Sequence, residues 1–325
     1  MATPARSTGS IRVTEENFNR AESDLYFGNR VRETGLGKLF HFRDVMPIEK
    51  QTVIRANRDT LYSSGVFDLE AGPVTVTLPD PGKRFLSLMV IDEDQYNPST
   101  VYAPGTFTFS KDDIETRYIM LGIRTFIDPN DPADANAVHA LQDAIKVAQP
   151  STGRWEVPDW DPVSQKKVRE ALLARAASIP DTRRMFGPRG KVDPERHLIG
   201  SATGWGGNSE ENAIYLTVVP PKNDGKTVHR MKVGKDVPVD GFWSVSVYGQ
   251  DGYFHENAQG SYSINNITGK KDANGSIFIQ FGGCDGSAPN CIPITEGWNY
   301  WVRLYRPRKE ILSGPFQFPE ALPLG

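Results

Sequence analysis

The most informative grouping of proton-transfer and anion-binding side chains lies at residues 55–62, where Arg55, Asn57, Arg58, Asp59 and Tyr62 fall within eight positions. Read as an extended strand, the segment places Arg55, Asn57, Asp59 and Leu61 on one face and Arg58, Thr60 and Tyr62 on the other. A buried arginine must meet a carboxylate, and Asp59 is the local candidate. The cluster therefore reads either as an ion pair bracing two domains or as a site for an anion or a hydroxyl compound. On the second reading Arg55 or Arg58 supplies fixed donors suited to a carboxylate. Arg55, Asp59 and Tyr62 are then candidate catalytic groups, and Asn57 and Arg58 are ligand contacts.

A second set lies further along, in strand-like runs: Tyr215, Trp243, Tyr248, Trp298, Tyr300, Trp301, Arg303 and Tyr305. Tyr and Trp offer a flat apolar face with a polar handle, which suits sugar rings or aromatic acids as well as a plain sandwich core. Tyr248 completes the catalytic candidates; Trp205, Tyr215 and Asn265 complete the ligand-binding ones. Residues 200–208, around Trp205, have the glycine count of a phosphate loop but lack its Lys-Ser/Thr and a preceding strand. An exposed Trp on a loop that closes over a ring, or a tight inter-domain turn, is expected there. The 55–62 cluster and these C-terminal residues are expected to form one pocket between the domains.

Other chemistries find less support. There is no Gly-x-Ser-x-Gly elbow, and Ser246 sits mid-strand. The five histidines, His41, His139, His197, His229 and His255, form no metal-binding motif. His255 and Glu256 are adjacent and point apart on a strand. No metal and no cofactor are expected. Cys284 and Cys291 lie in one turn-rich stretch, with six residues between them. A disulfide closing that loop is feasible, two free thiols being the alternative. A zinc site lacks a second ligand pair.

The elements that must carry these groups alternate β, helical, β. Residues 14–32 predict a helix capped by Thr14, with Phe18, Ala21 and Leu25 on one face. Strands follow: one led into from Val53 to Leu61, then 73–79 with alternating Val and Thr, 84–91 as a buried run, 104–109 and 117–126. Val138, Leu141 and Ile145, and then Val168, Leu172 and Ala176 closed by Pro180, mark two helices. From 197 onward the chain returns to strands at 213–219, 242–248, 276–281 and 298–305, with turn signals at 223–226 and 274–275. The expected fold is mainly β: an N-terminal helix plus β domain (1–127), a helical connector (128–195) and a C-terminal antiparallel sandwich of jelly-roll type (196–325). Thirty Gly and 24 Pro in 325 residues exceed the average share of roughly 12% and agree with many short strands and turns.

A net charge of −3, well mixed along the chain, offers no basic stripe for nucleic acid. No apolar run reaches the roughly 20 residues of a membrane helix. The small polar start, Ala2-Thr3-Pro4-Ala5 after Met1, suits a mature end after signal removal, or a cytosolic tail.

The stretch NRDTLYSSGVFDL (57–69), followed by GPV (72–74), resembles domain-of-unknown-function family 1254. DGFWSVSVY (240–248), YSINN (262–266), GWNY (297–300) and VRLYRP (302–307) resemble its usual partner, family 1214. The resemblance covers most of the chain after the leading helix. It implies two β domains, the second jelly-roll-like, and a periplasmic or secreted location, a cytoplasmic one being the alternative. Both carbohydrate-linked binding and hydrolase-like roles attach to such proteins. The expectation is a protein acting on a small oxygenated molecule or glycan at an inter-domain cleft, as a hydrolase or lyase without a covalent nucleophile. The alternative is a non-catalytic carbohydrate-binding or envelope protein. Homo-oligomerisation stays open.

Overall fold

The computed structural model describes residues 9–51, 54–176, 179 and 181–324. The expectations placed on Ala2 to Ala5, Val53 and Pro180 lie outside the described residues. The remaining strands and helices form where the hydrophobic patterns put them, within a few residues.

In the N-terminal domain, β1 (Phe40–His41), β2 (Thr60–Asp68), β4 (Leu86–Asp92), β5 (Ser99–Tyr102) and β7 (Tyr118–Phe126) build a five-stranded antiparallel sheet in the order β1-β2-β7-β4-β5. A smaller sheet joins β3 (Val74–Leu78), β6 (Gly105–Phe109) and β8 (Lys146–Ala148) in the order β6-β3-β8. β3 shows why period two decides a strand's faces. Its Val74, Val76 and Leu78 are buried, while Thr75 and Thr77 meet Thr108 and Thr106 across the sheet at 2.9 and 3.0 Å. β4 is apolar almost throughout because both its faces are covered. On one side Leu86, Leu88 and Val90 share a core with Val74 and Val76 of β3 and with Ile119, Leu121 and Ile123 of β7. On the other, Met89 and Ile91 pack with Phe27 of the leading helix.

That helix, α1 (Phe18–Thr34), starts later than Thr14: residues 15–17 form a turn, with the Thr14 N–H donating to the Asn17 side chain at 2.8 Å and the Asn17 N–H to the Thr14 carbonyl at 3.3 Å. Its buried face runs through Phe18, Ala21 and Phe27, while Leu25 is exposed. α4 (Pro162–Ala176) and α5 (Pro194–Gly204) pack on it through Leu172 and Ile199. The short α2 (Lys111–Ile114) precedes β7, and α3 (Pro132–Ala144), capped by Asp131, lays Val138 on Leu61 and Ile127. Thus α3 and β8 complete the N-terminal core, and α4 and α5 brace α1.

The C-terminal domain is a sandwich of two four-stranded sheets. One is built from β9 (Ala213–Val218), β11 (Trp243–Tyr248), β12 (Ser263–Asn265) and β15 (Asn299–Tyr305), in the order β12-β11-β15-β9. The other is built from β10 (His229–Val233), β13 (Ile277–Phe281), β14 (Cys291–Ile292) and β16 (Leu322–Pro323), in the order β14-β13-β10-β16. Only the β13–β14 pair among these is parallel. The short α6 (Lys309–Leu312) follows β15. Val245, Tyr300, Val302 and Leu304 of the first sheet meet Met231, Val233, Ile279 and Phe281 of the second in the core. Alternation then leaves Ser244, Ser246, Trp301, Arg303, Tyr305 and Tyr215 on the outer face of the first sheet. That face is turned toward the N-terminal domain, where Phe126 and Phe85 join Phe242 and Tyr305 in an aromatic contact.

Cys284 and Cys291 are bridged, with their Cα atoms 5.6 Å apart. The bridge joins the turn after β13 to β14. Replacing both cysteines by alanine is expected to lower stability by about 2 kcal/mol through the loss of a short loop constraint. A denaturant midpoint, with thiol titration finding no free sulfhydryl in the unreduced wild type, checks this.

Candidate functional site

Tyr62 of β2 and Arg124 of β7 are direct cross-strand partners, so both side chains leave the same face of the sheet, toward the C-terminal domain. The Arg124 guanidinium carbon lies 5.4 Å from the Tyr62 ring centroid. Arg303 and Tyr305 of β15 and Tyr215 of β9 approach from the opposite sheet.

The segment before β2 is not the strand that its residue alternation predicts, since β2 begins at Thr60. The Asn57 side chain accepts the Asp59 backbone N–H at 2.9 Å, a turn that a short polar side chain stabilises. Arg55 adopts a positive φ of 52°. The expected sharing of one face by Arg55, Asn57, Asp59 and Leu61 is therefore corrected. Asn57 instead joins Tyr62: its Nδ2 donates to the hydroxyls of Tyr62 at 3.2 Å, Tyr305 at 3.1 Å and Thr60 at 3.2 Å.

Beneath this group lies a buried polar floor. Arg303, 2% exposed, donates to the Arg55 carbonyl at 2.8 Å, the Ala56 carbonyl at 3.3 Å, the Tyr248 hydroxyl at 2.7 Å and the Ser246 hydroxyl at 3.0 Å. Ser246 donates to Ser263, and Ser263 to Asp59 Oδ1, each at 3.1 Å. Asn265 reaches the same oxygen at 3.5 Å. The Tyr248 hydroxyl donates to the Ala56 carbonyl at 2.9 Å, so both sides of that oxygen are engaged.

The other sequence candidates lie around the edge. The Arg55 guanidinium sits 5.3 Å above the Trp301 ring. Arg58 donates to the Met46 carbonyl and lies 5.3 Å over Tyr262. Residues 200–204 are the last turns of α5 rather than a loop. Trp205 follows, half-buried on α1: it stacks on Tyr26 at 4.5 Å, and its indole N–H donates to Ser23 at 3.1 Å. The chain then turns through Gly206, with φ of 75°, and Gly207, where a Cβ would lie 2.4 Å from the Phe186 ring. This turn brings the Gly206 carbonyl to 3.5 Å from Arg124 Nη2, and the Asn208 amide to 2.7 Å from the Tyr215 hydroxyl.

The electrostatics separate the two phenols that Asn57 holds. Burial pushes the Tyr62 phenol up, but the Arg124 guanidinium and the hydrogen bonds from Asn57 and Thr60 outweigh it and hold Tyr62 below an ordinary tyrosine. Burial, with Tyr215 and Tyr62 nearby, raises Tyr305 well above one. Burial also works against the Arg124 charge, which Tyr62, Tyr215 and Tyr305 more than offset. Elsewhere, Thr295 Oγ1, His255 and Asp251 form a line with contacts of 3.3 and 3.2 Å, on the exposed surface. Among the described residues, no group of three or more His, Cys, Asp or Glu is placed to hold a metal ion.

Of the residues nominated from the sequence, the structure brings together Tyr62, Asn57 and Tyr215, and places Asp59, Tyr248 and Asn265 in or beside the floor. Arg58 and Trp205 lie apart from the convergence, and Arg124 was missed. Its signal was a single charged residue inside the mostly apolar run of β7.

Residues 36–149 match the family described as protein of unknown function (DUF1254), and residues 220–309 match the one described as protein of unknown function (DUF1214). A comparison with curated protein sequences gives no match. Among solved structures, the chain is similar to the VPA0106 protein of Vibrio parahaemolyticus, with a TM-score of 0.73, 19% identity and coverage of 96% of this chain and 98% of that one. It is also similar to an uncharacterized protein of Burkholderia cenocepacia, with a TM-score of 0.53, 11% identity and coverage of 95% and 88%. Both likenesses are of fold.

Proposed function

We propose, for a chain that joins a DUF1254 domain to a DUF1214 domain, that the layer between them is the active site of a lyase acting on a small oxygenated molecule. The single observation that carries the reading is geometric: one carboxamide, Asn57 Nδ2, holds the hydroxyls of Tyr62 and Tyr305 at 3.2 and 3.1 Å, with the Arg124 guanidinium 5.4 Å from the Tyr62 ring, and the electrostatic directions, Tyr62 down and Tyr305 up, agree with it. Paired groups whose environments push them apart divide into base and acid. Tyr62, as phenolate beside Arg124, takes a proton from the carbon next to a carbonyl or carboxyl group. The bond from the neighbouring carbon to oxygen breaks, its electron pair leaving on that oxygen, and Tyr305 supplies the oxygen with a proton. Proton exchange with water restores both phenols. No covalent intermediate is needed.

Tyr62→Phe tests this. Elimination from a panel of uronides and hydroxy acids is expected to fall by about 100-fold or more, since general base catalysis contributes on that order. The thermal midpoint should stay within a few degrees. Activity of the wild type should rise with pH through a midpoint below that of a free tyrosine. Full turnover by the phenylalanine variant would remove Tyr62 from the mechanism.

A second reading, hydrolysis, is favoured by the Thr295–His255–Asp251 line, in which a base stands between a hydroxyl and a carboxylate. Thr295→Ala separates the two, since it leaves the lyase reading untouched. A non-catalytic binder would keep affinity and show no turnover in either variant or wild type. An extracytoplasmic location is part of the proposal and is supported by the disulfide, which persists in oxidising compartments. Among the described residues, no helix is long and apolar enough to cross a membrane.

A further inference from the structure

We propose that the compound taken up between the domains carries a carboxylate, and that Arg124 is the group that binds it. The inference rests on reading this layer as a ligand site, and it concerns charge. Arg303 and Arg124 both bring a guanidinium into the layer, and Asp59 is the carboxylate that meets them there among the described residues. That carboxylate is committed to Arg303, which it reaches electrostatically and through the chain Ser246–Ser263. Arg303 is also satisfied by backbone carbonyls and the Tyr248 hydroxyl.

Arg124 has no such carboxylate among the described residues. The groups that act on it most are the three phenols Tyr62, Tyr215 and Tyr305, and Tyr62 also shares a side-chain hydrogen bond with it, so its partners are neutral groups and not a carboxylate. Its Nη1 is buried without a hydrogen bond, and its Nη2 reaches the Gly206 carbonyl only at 3.5 Å. A cation withdrawn from water with open donors is costly, and a bound anion offsets that cost. Tyr62, Arg124, Tyr215 and Trp301 are half-buried, whereas Arg303, Tyr248 and Tyr305 are buried, so the Arg124 side of the layer is the more accessible one. The planar fork of the guanidinium matches a carboxylate in two parallel hydrogen bonds. A phosphate dianion would bring a second charge; Arg303 is already spent on its own acceptors and on Asp59, and the Arg55 guanidinium lies at the edge, stacked over Trp301. A carboxylate is therefore the anion that fits, with the rings of Tyr62 and Tyr215 flanking the rest of the ligand.

The test compares acetate and benzoate with acetamide and benzamide, and with inorganic phosphate, at constant ionic strength, by thermal midpoint and calorimetric titration. Benzoate is expected to bind the wild type about tenfold or more tightly than benzamide, as hydrogen bonds to a charged partner imply. Arg124→Gln should erase that preference and Arg124→Lys should weaken it, while Tyr62→Phe keeps it. The two arginine variants guard against a single failure to fold. Equal effects of acid and amide, an acid preference that survives in Arg124→Gln, no acid-dependent shift at all, or tighter binding of phosphate would each overturn the inference. The failures remain distinguishable. Acid preference through Arg124 with full turnover by Tyr62→Phe overturns the lyase reading alone. Equal binding of acid and amide, lost in Arg124→Gln and Tyr62→Phe alike, overturns the carboxylate alone.

Discussion

Arg303→Met is expected to destabilise the protein by about 3–5 kcal/mol, the cost of removing one member of a buried charged network. The arginine fills four acceptor positions: two carbonyls from the segment before β2, the Tyr248 hydroxyl and the Ser246 hydroxyl. Methionine preserves much of the volume but removes the arginine donor from all four, leaving the Ala56 carbonyl only the Tyr248 hydroxyl, and leaves Asp59 without its compensating charge. The thermal midpoint should fall by roughly 10 °C. A midpoint within a degree or two of the wild type would mean that the network contributes nothing to cohesion. Arg124→Gln, on the same interface, is expected to change stability by less than about 1 kcal/mol, because it removes a cation that lacks a protein counter-charge. Comparing the two variants separates an arginine that holds the domains together from one that waits for a ligand.

The second large effect is a decline of stability with rising pH, centred on carboxyls behind α1. Burial pushes Asp24 and Asp92 up to about 7 from 3.8, and it also raises Glu93. Asp24 accepts the Trp160 indole N–H at 2.7 Å, and its other oxygen is buried without a partner. Glu93 and Asp94 raise it further, and Arg20 from α1 opposes them. Arg189 lies 3.7 Å from Asp92 and 3.0 Å from Asp94. Below about pH 4 the folded and unfolded chains both carry these protons. As pH rises from there toward 7, the unfolded chain ionises first, the folded state binds more protons, and stability falls. Above about 7 the loss is complete, on the order of 2–4 kcal/mol for Asp24 alone. Asp24→Asn keeps an acceptor for Trp160. It should therefore stabilise the protein at about pH 8 by roughly 2 kcal/mol and leave it unchanged at about pH 4. Urea midpoints at the two pH values check the sign. A gain that is the same at both would trace the effect to packing and not to the proton.

What could be read from the residues, and what could not, follows from the range of the interactions. β3 and β4 were legible because period-two patterning and two-sided burial are local properties of a strand. The 55–62 segment was legible in composition but not in geometry. An Asn57 turn and a positive φ at Arg55 replaced the expected pleat, so residues assigned to opposite faces came together. Trp205 was read from its glycine neighbours either as an exposed ring on a closing loop or as part of a tight inter-domain turn, and neither reading could see that Ser23 and Tyr26, about 180 residues earlier in the chain, hold it on a helix. Arg124, inside the strand read at 117–126, was not singled out. Its meaning depends on which face of β7 meets the other domain, and that is decided by packing across the whole sheet. Tyr62 and Tyr215 could be nominated by type, but nothing local sets their separation.

The polar outer face of the β12-β11-β15-β9 sheet has a consequence for how the chain can be divided. A sandwich that stood alone would turn charged and hydroxylated groups outward to water and keep them there. This one seats its central arginine on carbonyls borrowed from residues 55 and 56. The two halves are therefore not interchangeable cassettes. A fragment beginning after α5 would inherit a surface built for a neighbour it no longer has, and a chain nicked in the 205–212 turn would stay assembled, each half still completing the other.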